Sequence, residues 1–138
     1  MDFRLDSCPV LVSLSLACLV GGGTRSLDAQ AKDRWLHLST GASGFQLDTM
    51  SIATKEGHFL VWMRQPTPAF GGFILAHEEV DCHGLGYRLL EVVSVNPDGE
   101  RHRMPPTSTD WYWIAPDDGL ERTYRNACVY LRRHAPGG

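Results

Sequence analysis

The densest group of side chains that could do chemistry lies in residues 77–83, which read HEEVDCH. Alternate residues of a strand project to opposite faces, so His77, Glu79 and Asp81 would share one face and Glu78 would lie on the other. A metal ion needs at least three convergent ligands, and a solvated sheet face is the commoner use of such a run. We therefore predict that this segment forms a solvated face and binds no metal.

The sequence contains none of the short motifs that assign a reaction. There is no G-x-S-x-G turn, no H-E-x-x-H helix and no glycine-rich phosphate loop. We therefore expect a protein that is not an enzyme and that needs no cofactor. The formal net charge is −3 and the basic residues are scattered, so we expect no nucleic-acid partner, which would require clustered Lys and Arg.

The N-terminal segment is predicted to direct export. Its apolar run, Val10–Gly23, is shorter than the roughly 20 residues that span a bilayer but has the length of a signal-peptide core. An A-x-A site at Ala29–Ala31 predicts cleavage after Ala31. This makes residues 1–31 a signal peptide and places the mature protein in the periplasm or on the outer cell surface. A buried helix, which the glycines in the run oppose, and lipidation at Cys18 are the alternatives.

Export determines which cysteines remain in the mature protein. Of the four in the chain, Cys8 and Cys18 would leave with the signal peptide, and Cys82 and Cys128 would remain. Two cysteines in an oxidising compartment predict a disulfide, which would stabilise a loop of this length by about 4 kcal/mol. A zinc site is the alternative, but His83 adjoins only one cysteine and there is no C-x-x-C spacing.

The mature region, residues 32–138, is predicted to form one domain built on an antiparallel sheet. Turn signals at Lys55–Gly57, Pro66–Gly72 and Asn96–Gly99 separate extended runs. The run Tyr87–Val95 is nearly all apolar, so we expect it to be central, with Leu90 buried and Trp62 buried beside it. The predicted strands are Arg34–Leu38, Phe45–Leu47, His58–Gln65, Phe73–Cys82, Tyr87–Val95 and Asp110–Ile114.

One helix is predicted near the C-terminus, with Asp118 as its N-cap and Glu121 completing a capping-box-like arrangement. Cys128 lies on its apolar stripe, so the disulfide would hold the helix against the strand that ends at Cys82. The predicted fold class is therefore α+β, an antiparallel sheet of about five to six strands with a C-terminal helix packed on it. The apolar stripe consists of Leu120, Tyr124, Ala127, Cys128 and Leu131.

Three residues are the candidates for contact with a partner. Phe70 lies in the loop rich in proline and glycine, and Arg101 and Arg103 belong to a short basic stretch. The aromatic run of residues 111–113 is expected to pack in the core, as a domain of this size needs large side chains there. A platform for a ligand is the alternative use of that run.

Taken in order, these landmarks resemble the surface-adhesin protein E family of small exported bacterial proteins. The resemblance extends from Trp35 to about Tyr130, and it implies an antiparallel sheet tied by a disulfide to a C-terminal helix. The founding member binds host extracellular-matrix and serum proteins, and Arg101-His102-Arg103 is the nearest counterpart of its basic ligand-binding stretch. The residues that carry the resemblance are Trp35, Phe45-x-x-Asp48-x-x-Ser51-Ile52, Val61-Trp62, Glu79-x-Asp81-Cys82, Trp111, Ile114-x-Pro116 and Cys128.

The resemblance and the missing catalytic motifs together favour one function. We expect an exported binding protein of the cell envelope, adhesin-like, with a protein partner such as a host matrix or serum protein and with no membrane span. A small periplasmic enzyme or enzyme inhibitor is the alternative. It would require a concave site in which at least two polar groups converge.

Overall fold

The computed structural model describes residues 34–39 and 44–136, which form an antiparallel sheet with one helix against one face. The predicted signal peptide, its cleavage site and Cys18 lie outside the described residues. The strands are β1 (Trp35–His37), β2 (Gln46–Asp48), β3 (Ala53–Lys55), β4 (His58–Thr67), β5 (Gly72–Asp81), β6 (Gly86–Val95), β7 (Arg101–Met104) and β8 (Tyr112–Trp113), and the helix is α1 (Glu121–His134).

The sheet has eight strands, not the five to six predicted from the sequence. Its path runs β1-β2-β4-β5-β6-β7, and the three central strands have ten residues each. Each outer side of this central group is long enough for two short strands: β2 and β3 both pair with β4, and β7 and β8 both pair with β6. Neither β3 nor β7 was among the predicted strands, because such short strands are defined by the long strand beside them.

The turns around β4 confirm one prediction and correct another. Glu56 and Gly57 both have positive φ, 52° and 86°, as a two-residue hairpin loop requires. Pro66 was predicted to begin a loop, yet β4 continues through it to Thr67. Since β2 pairs with β4 only as far as Arg64, Pro66 lies where β4 is paired on one side, a position that tolerates proline.

A β-bulge in β6 overturns the prediction that Leu90 is buried. His77 pairs with Glu91 and the next residue, Glu78, pairs with Leu89, so Leu90 is an extra residue between two pairs. It is 39% exposed. Trp62, also predicted to be buried, is only half-buried.

The hydrophobic core lies between the sheet and α1, where the predicted helical stripe meets the alternate residues of β4 and β5. The predicted Cys82–Cys128 disulfide is confirmed. It joins the end of β5 to this stripe, with the two Cα atoms 5.5 Å apart. The fully buried side chains include Leu47, Val61, Met63 and Val80 from the sheet and Tyr124, Ala127 and Leu131 from the helix.

The start of α1 differs from the predicted cap. The N-cap position is Leu120, which makes no side-chain hydrogen bond to the helix. Asp118 Oδ1 accepts a hydrogen bond from the Leu120 backbone N–H at 2.8 Å, and Glu121 Oε2 accepts one from the Asp117 N–H at 2.9 Å. These carboxylates therefore order the turn before the helix. Across the described residues, no helix is both long and apolar enough to cross a membrane.

Candidate binding face

The helix covers one face of the sheet, and we call the opposite face the open face. All four tryptophans of the chain lie on it. Trp62 of β4 pairs directly with His77 and stacks on its ring at 4.9 Å, since paired residues share a face. Trp35 of β1 lines the same cleft as Trp62.

The aromatic run of residues 111–113 is not in the core, and that prediction is wrong. The rings of Trp111 and Trp113 stack at 5.4 Å on the open face, with Trp113 54% exposed. Trp113 packs over Gly86, where an added Cβ would lie 2.5 Å from the indole. Ile114 is the residue of this segment that enters the core. The tryptophans thus sit on the sheet surface, where the glycine leaves room for them.

A cleft of about 560 Å³ opens on this face. Its walls are large apolar side chains from four strands. Positively and negatively charged side chains also line it. The apolar walls are Trp35, Trp62, Phe73, Leu75 and Val93, and the charged residues are Arg34, Arg64, Arg101, Arg103, Asp48 and Glu91.

Both carboxylates of the cleft are already paired. Asp48, only 1% exposed, accepts hydrogen bonds from Arg34 Nε at 2.8 Å and Arg34 Nη2 at 2.6 Å. Glu91 forms an ion pair with Arg103 at 2.8 Å. A bidentate contact to a buried carboxylate is among the stronger ion pairs in proteins, so Asp48 is committed to Arg34.

Arg64 has no such partner. Its guanidinium lies 4.0 Å from the centre of the Phe73 ring and 5.7 Å from that of Trp35. Within the described residues, its buried Nε has no hydrogen-bond acceptor and the guanidinium forms no ion pair. Arg101, exposed at the start of β7, likewise forms no ion pair with a described residue. Four guanidinium groups therefore face two carboxylates in the cleft.

The structure brings the three predicted contact residues to one end of the sheet. Arg101 and Arg103 are alternate residues of β7 and both line the cleft. Phe70, 81% exposed, lies in the β4–β5 turn. A Cβ added to Gly71 would lie 3.3 Å from the Pro97 side chain, so this turn contacts the one before β7.

Sequence reasoning missed Arg64, Trp35 and Phe73 as parts of the site. Alternation along β4 does put Trp62 and Arg64 on one face, which was the available signal. What joins them to Phe73 is the pairing of β4 with β5, and sequence alone did not supply that register.

The acidic run that begins at His77 is divided between the two faces as predicted, but its two glutamates are buried and not solvated. Glu79 is 3% exposed and lies between His58 Nδ1 at 2.8 Å and Arg88 Nη2 at 2.6 Å. Burial alone would raise the pKa of Glu79, but the hydrogen bonds from His58 and Arg88 lower it below the ordinary value. Among the described residues, no three His, Cys, Asp or Glu side chains are grouped to hold a metal ion.

Glu78 lies on the helix side, at a second cavity of about 510 Å³ with mainly apolar walls. Its carboxylate Oε2 accepts a hydrogen bond from the Tyr124 hydroxyl at 2.7 Å. Burial raises the pKa of Glu78 to about 7, although the Tyr124 hydrogen bond acts in the opposite direction. This carboxyl group therefore changes its charge near neutral pH.

No known protein family, no curated protein and no solved structure matches this chain.

Proposed function

We propose that this protein is an exported binding protein of the cell envelope, adhesin-like, whose open face contacts a host matrix or serum protein. One observation carries the proposal: the four tryptophans, together with Arg64 and Arg101, lie on the face that α1 leaves uncovered. Tryptophan and arginine are enriched among the residues that dominate binding energy at protein interfaces. The resemblance to the surface-adhesin protein E family supports the same function.

The contact is proposed to begin at the end of the sheet that carries Phe70, Arg101 and Arg103. Phe70 and Arg101 are exposed, and Arg101 forms no ion pair with a described residue. An unpaired arginine at this position accelerates association with an acidic partner and makes that association depend on salt. Phe70 would supply apolar contact next to this charge.

The test is a double variant, Arg101→Ala with Arg103→Ala, assayed by surface plasmon resonance against host matrix and serum proteins over a range of salt concentrations. We expect slower association and a weaker salt dependence. The matched control, Arg122→Ala with Arg133→Ala, removes two exposed arginines from α1 and should bind like the unaltered protein. Binding that survives the combined loss of the Phe70, Arg101 and Arg103 side chains would discard this contact site.

Export is tested separately from binding. Intact-mass measurement of the protein from an envelope fraction should give a chain that begins at Lys32, after cleavage at Ala31. A protein that retains Met1, or one acylated at Cys18, would contradict the proposed processing.

A small periplasmic enzyme or enzyme inhibitor is the second candidate, and one observation favours it. Glu78 combines a pKa near 7 with an apolar cavity, the combination that marks many catalytic acids and bases. Hydrolytic turnover of an envelope substrate that disappears in Glu78→Gln, while binding to matrix proteins is absent, would replace the binding function with this one.

A further inference from the structure

We propose that the cleft on the open face holds the carboxylate of an acidic, partly apolar peptide segment of the partner protein, with Arg64 as the central contact. The proposal rests on the proposed function, because it takes the open face as the contact surface. It goes further by naming the chemistry that this surface recognises.

The cleft carries more arginines than carboxylates. Asp48 and Glu91 neutralise Arg34 and Arg103, which leaves Arg64 and Arg101 without an ion-pair partner among the described residues. A buried polar group without a partner is unfavourable, and a hydrogen bond to a charged group contributes more than one to a neutral group. An anion that enters the cleft would supply the ion-pair partner that the Arg64 guanidinium lacks among the described residues.

The aromatic packing of Arg64 determines the geometry of that contact. Phe73 packs against Arg64, with the guanidinium carbon 4.0 Å from the ring centre, so the side chain is held at the wall of the cleft before a ligand arrives. A planar, fixed fork matches a carboxylate with two parallel hydrogen bonds. Trp35 and Trp62 lie beside it in the same cleft and offer apolar surface to a neighbouring side chain of the peptide.

The same charges argue against a long polyanion. Arg34 and Arg103 are already paired with Asp48 and Glu91, so they cannot pair with the successive phosphates or sulfates of such a chain. Only two of the four arginines remain to attract it. One or two carboxylates next to an apolar residue match the two unpaired arginines of the cleft better than a continuous line of negative charge does.

The probe is the peptide acetyl-Glu-Phe-Glu-amide, titrated into protein purified from cells that express the full chain. Nuclear magnetic resonance of the indole N–H groups provides the readout, because Trp35 and Trp62 line the cleft whereas Trp113 does not. We expect the Trp35 and Trp62 signals to shift while that of Trp113 stays in place. The neutral peptide acetyl-Gln-Phe-Gln-amide should produce no such shift.

Variants assign the contact to Arg64. Arg64→Gln should weaken peptide binding at least about tenfold, since a hydrogen bond to a charged group is lost. Arg64→Lys keeps the charge but loses the planar fork, so most of that loss should remain. Arg122→Gln makes the same charge change on α1 and should leave binding unchanged. Dispersed indole signals in each variant show that it is folded.

Two results would overturn the proposal: equal binding of the acidic and neutral peptides, or unchanged affinity in a folded Arg64→Gln variant. Inorganic phosphate that displaces the peptide at equal concentration would assign the cleft to phosphate-bearing ligands instead. If a protein partner binds through Arg101 and Arg103 but the peptide does not bind, this inference fails and the proposed function stands. If the peptide binds but matrix and serum proteins do not, the cleft assignment stands and the proposed function fails.

Discussion

Replacing Glu78 by Gln should make the protein less sensitive to pH. The buried carboxyl of Glu78 accepts a hydrogen bond from the Tyr124 hydroxyl, and the amide oxygen of Gln can accept the same bond. Gln has nearly the shape of the protonated acid but cannot ionise. The substitution therefore removes the cost of burying a charge while it keeps the packing.

The magnitude follows from the pKa of Glu78, which burial raises from 4.5 to about 7 in the folded protein. Between these two pH values the folded state holds more protons than the unfolded state, so the free energy of unfolding falls as pH rises. The stabilising contribution is complete below pH 4.5 and is lost as pH rises through 7. At about 1.4 kcal/mol per pKa unit, the whole effect is about 3 kcal/mol.

The assay is urea denaturation of both proteins from pH 5 to pH 8. Burial lowers the pKa of His77, so that residue adds stability as pH rises and partly masks Glu78 in the wild type. The difference between variant and wild type cancels the His77 contribution. The nearby Tyr87 and Tyr124 do not interfere, because burial raises the pKa of Tyr87 to about 12 and that of Tyr124 well above 10.

We expect the variant to gain stability over the wild type as pH rises from 5 to about 7, by most of the 3 kcal/mol, and the difference should level off above that pH. A difference that is constant with pH would refute the reasoning, since it would mean that the pKa of Glu78 is the same in both states. Tyr124→Phe serves as a second check. It removes the one hydrogen bond that favours the ionised acid and should shift the loss of stability to higher pH.

Two further predictions test the fold. Replacing both Cys82 and Cys128 by Ala should lower the free energy of unfolding by about 2–5 kcal/mol, and thiol titration of the oxidised wild type that finds Cys82 and Cys128 reactive would rule out the bridge. Leu131→Ala, in the core, should cost about 2–5 kcal/mol, whereas Leu90→Ala, at the exposed bulge, should cost far less; equal losses by urea denaturation would contradict the placement of Leu90.

The sequence was most informative where one element has a regular pattern. Alternation along the predicted strand His58–Gln65 placed Val61 and Met63 on one face, and both are buried against the helix. The helical stripe was predictable for the same reason, and the pair Cys82 and Cys128 was predictable because no other cysteine remains in the predicted mature region. Together these features were enough to predict an antiparallel sheet with a C-terminal helix joined to it by a disulfide.

Prediction failed where a residue's position depends on a neighbouring strand. Leu90 lies in an apolar run that gives no local sign of a bulge. It is exposed because the pairing of β6 with His77 and Glu78 leaves it as an extra residue between two pairs. Arg64 was missed for a similar reason, because its role comes from Phe73 on the adjacent strand and Trp35 on the first. Phe70 and Arg101 were easier to select, as turn and charge signals already favoured exposure.

The attachment of α1 decides which face of the sheet is covered. The bridge holds Cys128 within 5.5 Å of Cys82 between Cα atoms, and the small Ala127 beside it is fully buried. The helix side of the sheet is filled by Val61, Val80 and the stacked rings of Tyr87 and Tyr124. The four tryptophans lie on the other face, where no helix among the described residues covers them. The disulfide that stabilises the domain would in this way also keep the proposed binding face open.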